Sequence, residues 1–166
     1  MVWGMTLGTF TAVHVALSLI GIATGFVVMI GLLRGMQLRG WTALFLVTTV
    51  ATSVTGYGFP VDRLLPSHVV GALSLVVLVL AIVALYGLHL RRVWRSVYVV
   101  CSALALYFNV FVGIVQAFLR IPALQALAPQ QNEPPFVIVQ LIVLAGFILL
   151  TIVAAKRFRG AAPVRV

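Results

Sequence analysis

The chain has 166 residues, of which 63% are hydrophobic and 8% are charged. A soluble domain carries about a quarter charged residues, so this composition excludes a water-covered globule, and we expect most of the outer surface to face lipid. The net charge of +9 fits basic anchors at lipid headgroups rather than nucleic-acid binding, and one cysteine excludes an internal disulfide.

Five apolar stretches are long enough to cross a membrane, which takes about twenty helical residues. Lipid offers no partner for backbone amides, so each stretch should be helical. We therefore predict an all-α polytopic membrane protein, a five-transmembrane-helix bundle forming one domain over 1–166. The spans are roughly 9–33, 41–59, 67–89, 96–119 and 135–155. The polar segment 125–135 is expected to hold a short amphipathic piece at the interface.

The basic residues predict the orientation of these spans. Nine of the eleven follow spans one, three and five. They are Arg34, Arg39, Arg91, Arg92, Arg95, Lys156, Arg157, Arg159 and Arg165. The other gaps hold Arg63 and Arg120 with the two acids, Asp62 and Glu133. Because cytoplasmic loops carry the excess of Lys and Arg, we expect the N-terminus outside and the C-terminus in the cytoplasm of a bacterial-type inner membrane.

Polar and small side chains recur at helical spacing within the first two spans. His14, Ser18, Gly21 and Gly25 share one face of span one, and the Gly pair is typical of a close helix-packing seam. The stripe Thr48, Thr52 and Thr55 marks the inward face of span two, where hydroxyls can bond to their own helix carbonyls.

Span four carries the most informative polar stripe. Ser102, Asn109, Gly113, Gln116 and Arg120 lie on one narrow face over almost the whole membrane. An amide at this depth must form a hydrogen bond, either to another helix or within a polar cavity. His68 opens span three, Gln140 lies in the first two turns of span five, and Glu133 precedes it. The predicted orientation puts His14, His68, Gln116, Gln140 and Arg120 in the outer half of the membrane.

These residues define the predicted site. Its lining is His14, His68, Asn109, Gln116 and Gln140, with Arg120 and Glu133 at the mouth. A small lipophilic ligand such as a quinone could be oriented by a few hydrogen bonds inside an apolar cleft. One alternative is a b-type haem or metal protein ligated by His14 and His68. Another is a non-catalytic subunit or assembly factor of a larger membrane complex, in which the polar stripes form helix-to-helix contacts. A homo-oligomer or a membrane partner subunit is also compatible with the sequence. The sequence contains no enzyme motif and names no catalytic residue or definite cofactor.

Overall fold

The computed structural model describes residues 2–60 and 66–159, and the regular structure in these ranges is helical. The helices are α1 Leu7–Leu33, α2 Arg39–Gly56, α3 Pro66–Ile82, α4 Trp94–Arg120, α5 Pro122–Leu127 and α6 Pro134–Arg159. A π-helical turn, Val83–Gly87, continues α3. Thus the structure confirms the prediction of a helical protein.

Four of these helices, α1, α4, α6 and α3 with its π-helical turn, are long and apolar enough to cross a membrane. A membrane-embedded protein is therefore supported. The predicted span 41–59 corresponds to α2, which has 18 residues and is not among the four. Its several threonines make it the most polar of the long helices.

The exact residues at which the helices end depend on local backbone interactions, which cannot be read from the lengths of the apolar stretches. Gly35 has a φ of +71° and ends α1 in a Schellman motif, in which Met36 N donates to Gly31 O at 2.8 Å. Ile121 is extended because Pro122 follows it, and this break separates α4 from α5. The short helix expected within 125–135 therefore lies earlier, at Pro122–Leu127.

The five long helices form a ring in which each contacts its neighbours. The pairs are α1 with α2, α2 with α3, α3 with α4, α4 with α6 and α6 with α1, and α1 also contacts α4. Helix α2 runs antiparallel to α1 along its length: Gly25 faces Phe45, His14 faces Thr55, and Phe10 faces Gly58.

The two ends of this ring differ in what they bury. We call the end where α1 and α6 terminate the basic end, and the end where they begin the opposite end. The apolar core lies towards the basic end and includes Val28, Met29, Phe45, Leu78, Leu106 and Phe158. Buried polar side chains lie in both halves: Thr42, Ser96 and Ser102 towards the basic end, and Thr52, Ser53, His68, Ser74 and Gln140 from the middle of the bundle towards the opposite end. The predicted site residues His14, His68 and Gln140 lie in the half near the opposite end.

Candidate ligand site

His14 is held between α1 and α2 by an oriented hydrogen bond. Its Nδ1 lies 2.8 Å from Thr55 Oγ1, and the Thr55 hydroxyl lies 2.7 Å from the Ala51 carbonyl, to which it donates its single proton. Nδ1 must therefore be the donor to Thr55, which leaves the Nε2 of a neutral imidazole as a lone-pair acceptor. The ring also meets Phe59 edge to face at 5.2 Å. Two contacts thus fix the ring orientation.

A polar atom with no hydrogen-bond partner among the described residues lies on α2, one helical turn before Thr55. Thr52 is 8% exposed, and its Oγ1 is buried without a hydrogen-bond partner among the described residues. On the same face, Thr49 Oγ1 receives a 3.4 Å bond from Asn109 Nδ2. Thr52 therefore lies between the His14–Thr55 and Asn109–Thr49 contacts. A buried hydroxyl in that position calls for a polar partner, because leaving it unpaired costs free energy.

His68 lies at the start of α3 and contacts a different residue of α2. Its ring packs against the Tyr57 ring at 5.3 Å, and the Tyr57 hydroxyl donates to the His68 carbonyl at 2.6 Å. His14 instead contacts Thr55 and Phe59. The two predicted haem ligands therefore have different immediate neighbours. Among the described residues, no group of three His, Cys, Asp or Glu could hold a metal ion.

Gln140 attaches α6 to α4. Its Nε2 donates to the Phe111 carbonyl at 3.3 Å, and one turn further along, Gln131 Nε2 donates to the Val115 carbonyl at 2.8 Å. The remaining Gln140 oxygen is buried without a partner among the described residues. Gln140 is therefore an interhelical contact that retains one free acceptor.

The other three predicted residues lie at the opposite end, outside the buried region. Arg120 Nε donates to Gln116 Oε1 at 3.1 Å, one helical turn away, and both side chains are exposed. Glu133 accepts the backbone N–H groups of Gln130 and Asn132, each at 3.1 Å. A slight desolvation raises the pKa of Glu133, but these and neighbouring backbone N–H groups together bring it below its ordinary value of 4.5. This carboxylate orders the loop before α6.

The structure thus distributes the predicted residues over separate contacts. Three residues that were not in the predicted site also belong to this region. Thr55 and Phe59 contact His14, and Thr52 has a buried hydroxyl with no partner among the described residues. The threonine stripe could have indicated the first and third of these residues. No sequence signal distinguished a hydroxyl that bonds to its own helix from one that does not.

No protein-family model matches the sequence, and no curated protein or solved structure matches it either. The class of the protein therefore follows from its own features. They support a helical membrane protein with several buried polar groups inside the bundle.

Proposed function

We propose that the protein binds a small lipophilic molecule bearing a hydroxyl donor, such as a quinol, in the half of the bundle near the opposite end. The observation that carries this proposal is the fixed tautomer of His14. Its Nδ1 proton is directed to Thr55, so a neutral ring offers an acceptor at Nε2. Among the described residues, the hydrogen bond of the ring is made by Nδ1, which leaves Nε2 available to a ligand.

Thr52 supports the same assignment, because its hydroxyl can donate to or accept from a ligand and is one turn from Thr55. Small-molecule sites typically contain a small number of polar groups inside otherwise apolar surroundings. A quinol donates from its hydroxyls, whereas the oxidised quinone offers carbonyl acceptors only. The reduced form should therefore bind His14 Nε2 more tightly. The protein acts as a binding module, and no residue is assigned a catalytic role.

We further propose that α2 is a fifth span and that the basic end faces the cytoplasm of an inner membrane. Helix α2 follows α1 from the Gly25–Phe45 contact to the His14–Thr55 contact, so it covers much of the same depth. Its 18 residues extend about 27 Å at 1.5 Å per residue, close to the hydrocarbon thickness of about 30 Å. In sequence, nine of the eleven basic residues follow spans one, three and five, which favours the end where these spans terminate as the cytoplasmic one.

The binding proposal is tested by thermal unfolding of the purified protein with decylubiquinol, kept reduced under anaerobic conditions, and with decylubiquinone. We expect a saturable rise in Tm that is larger for the quinol. His14→Phe should abolish it, because Phe keeps a ring but removes Nε2. His89→Asn, which alters an exposed histidine at the basic end, should not. No response to the quinol, or an unchanged response in His14→Phe, would reject the proposal.

The same preparations separate the two alternatives. An absorption spectrum with a Soret band that is lost in both His14→Phe and His68→Ala would establish haem ligation instead. Co-purification of a second membrane protein, lost in Asn109→Leu while Tm is insensitive to quinol, would establish the subunit role.

A further inference from the structure

The basic end brings together the ends of three helices through arginine side chains. Arg157 Nη1 donates to the Leu33 carbonyl at 3.3 Å, which joins α6 to the last residue of α1. Arg95 Nη1 lies 3.5 Å from the Phe158 carbonyl, and its guanidinium lies 5.7 Å from the centre of the buried Phe158 ring. These contacts place the start of α4 beside the end of α6, where two cations meet C-terminal carbonyl groups.

The described part of this end carries a cluster of exposed positive charge. The exposed basic side chains are Arg34, Arg39, Arg91, Arg92, Lys156 and Arg157. Among the described residues, no acidic side chain lies there, because Glu133 precedes α6 at the other end. In sequence, Asp62 falls between α2 and α3. The basic end therefore attracts anions from its surroundings.

An apolar groove begins within about one to two turns of these charges. It lies between α4 and α6, has a volume of about 190 Å³ and opens to the outside of the bundle. Its lining is Val100, Ala103, Leu104, Tyr107, Leu144, Phe147, Ile148, Thr151 and Ile152. Lys156 follows Ile152 by four residues, so it lies on the groove-lining face about 6 Å nearer the basic end.

We propose that this groove and the neighbouring cations form a site for one anionic phospholipid. An acyl chain occupies the groove between α4 and α6, and the phosphate is held by Lys156 and Arg92. Arg92 lies two residues before the start of α4, and both side chains are exposed. Two features fit the two parts of such a lipid: the hydrocarbon-lined space between α4 and α6, and exposed cations at the end where α4 begins and α6 terminates. This proposal does not depend on the proposed function.

The test is a titration of the detergent-purified full chain with dioleoylphosphatidylglycerol, with dioleoylphosphatidylcholine as the zwitterionic comparison. Tm should rise saturably with the anionic lipid and much less with the zwitterionic one. The double variant Lys156→Gln/Arg92→Asn should lower the affinity for the anionic lipid about tenfold or more. Asn is chosen because Arg92 has a φ of +49°, which Asn tolerates better than most residues. Arg120→Gln, a cation removed from the other end, should leave the affinity unchanged.

A second pair of variants tests the groove separately from the charges. Val100→Phe partly fills it and should weaken binding, whereas Val76→Phe, on an exposed part of α3 that does not line it, should not. Glycerol phosphate, which lacks acyl chains, should not raise Tm. Equal responses to the two lipids, an equal response to glycerol phosphate, or unchanged affinity in both Val100→Phe and the double variant would overturn the proposal.

Discussion

Gly25 of α1 lies so close to Phe45 of α2 that a Cβ atom at position 25 would come within 2.9 Å of the ring. It would also lie 2.6 Å from Leu106 Cδ1 on α4. One turn away, a Cβ on Gly21 would be 3.2 Å from both Asn109 Nδ2 and Thr49 Oγ1. The two glycines therefore permit α1 to approach α2 and α4 closely, as small residues do in membrane bundles.

Gly25→Ala should destabilise the protein by about 1–3 kcal/mol, because Phe45 and Leu106 are both buried and must move to accommodate the methyl group. The measurement is the free energy of unfolding in mixed micelles of a mild detergent and dodecyl sulfate. Gly146→Ala is the matched control, since its Cβ meets nothing within 4 Å and position 146 is exposed on α6. Equal effects at the two positions would show that helix propensity, rather than close approach, determines the outcome.

The Asn109–Thr49 contact should contribute only a small coupling energy. The bond is long at 3.4 Å, and interhelical hydrogen bonds in membranes average about 0.6 kcal/mol. A double-mutant cycle with Asn109→Leu and Thr49→Val should therefore give a coupling of about 0.5 kcal/mol. A value above about 2 kcal/mol would contradict this assignment and indicate that these two side chains share a further polar partner.

Much of the fold was predictable, because long apolar runs leave a chain in lipid few alternatives to helix. The predicted 9–33 and 96–119 differ from α1, Leu7–Leu33, and α4, Trp94–Arg120, by a few residues. Larger differences are at the end of α6, which continues to Arg159 beyond the predicted 155, and at the end of α2. Helix α2 ends at Gly56, whereas the apolar run continues to Phe59. Hydropathy does not distinguish apolar residues inside a helix from those that leave it and pack elsewhere, as Phe59 does against Phe10 and His14.

The candidate site was less predictable, because helical spacing gives the face of a side chain but not its partner. His14 and Thr55 are 41 residues apart, and the two stripes that contain them did not indicate that they meet. Asn109 and Gln116 share a face of α4, yet one contacts Thr49 and the other contacts Arg120. Which neighbour each polar group meets depends on how the helices pack, and that is not contained in any single stripe.

Gln140→Leu should change stability by less than about 1 kcal/mol in either direction. The variant loses the bond from Nε2 to the Phe111 carbonyl, but it also removes a buried oxygen that has no partner among the described residues. Gln140→Ala, which removes the packing as well, should be clearly more destabilising. Unfolding of both variants in mixed micelles provides the check. A loss above about 2 kcal/mol in Gln140→Leu would show that the free oxygen accepts a hydrogen bond in the native protein.

The loop before α6 should lose its order in acid through the titration of Glu133. The pKa of this carboxyl is lowered below 4.5 because backbone N–H groups, including those of Gln130 and Asn132, stabilise the charged form more than slight desolvation opposes it. A lowered native pKa means that the carboxylate stabilises the loop fully above the unfolded pKa, and that this contribution disappears as the pH falls through the native value. The amide chemical shifts of Gln130 and Asn132 should therefore move together as the pH falls, with a midpoint below 4.5. In Glu133→Gln the same shifts should not show this titration, and a midpoint above 4.5 in the unaltered protein would contradict the assigned hydrogen bonds.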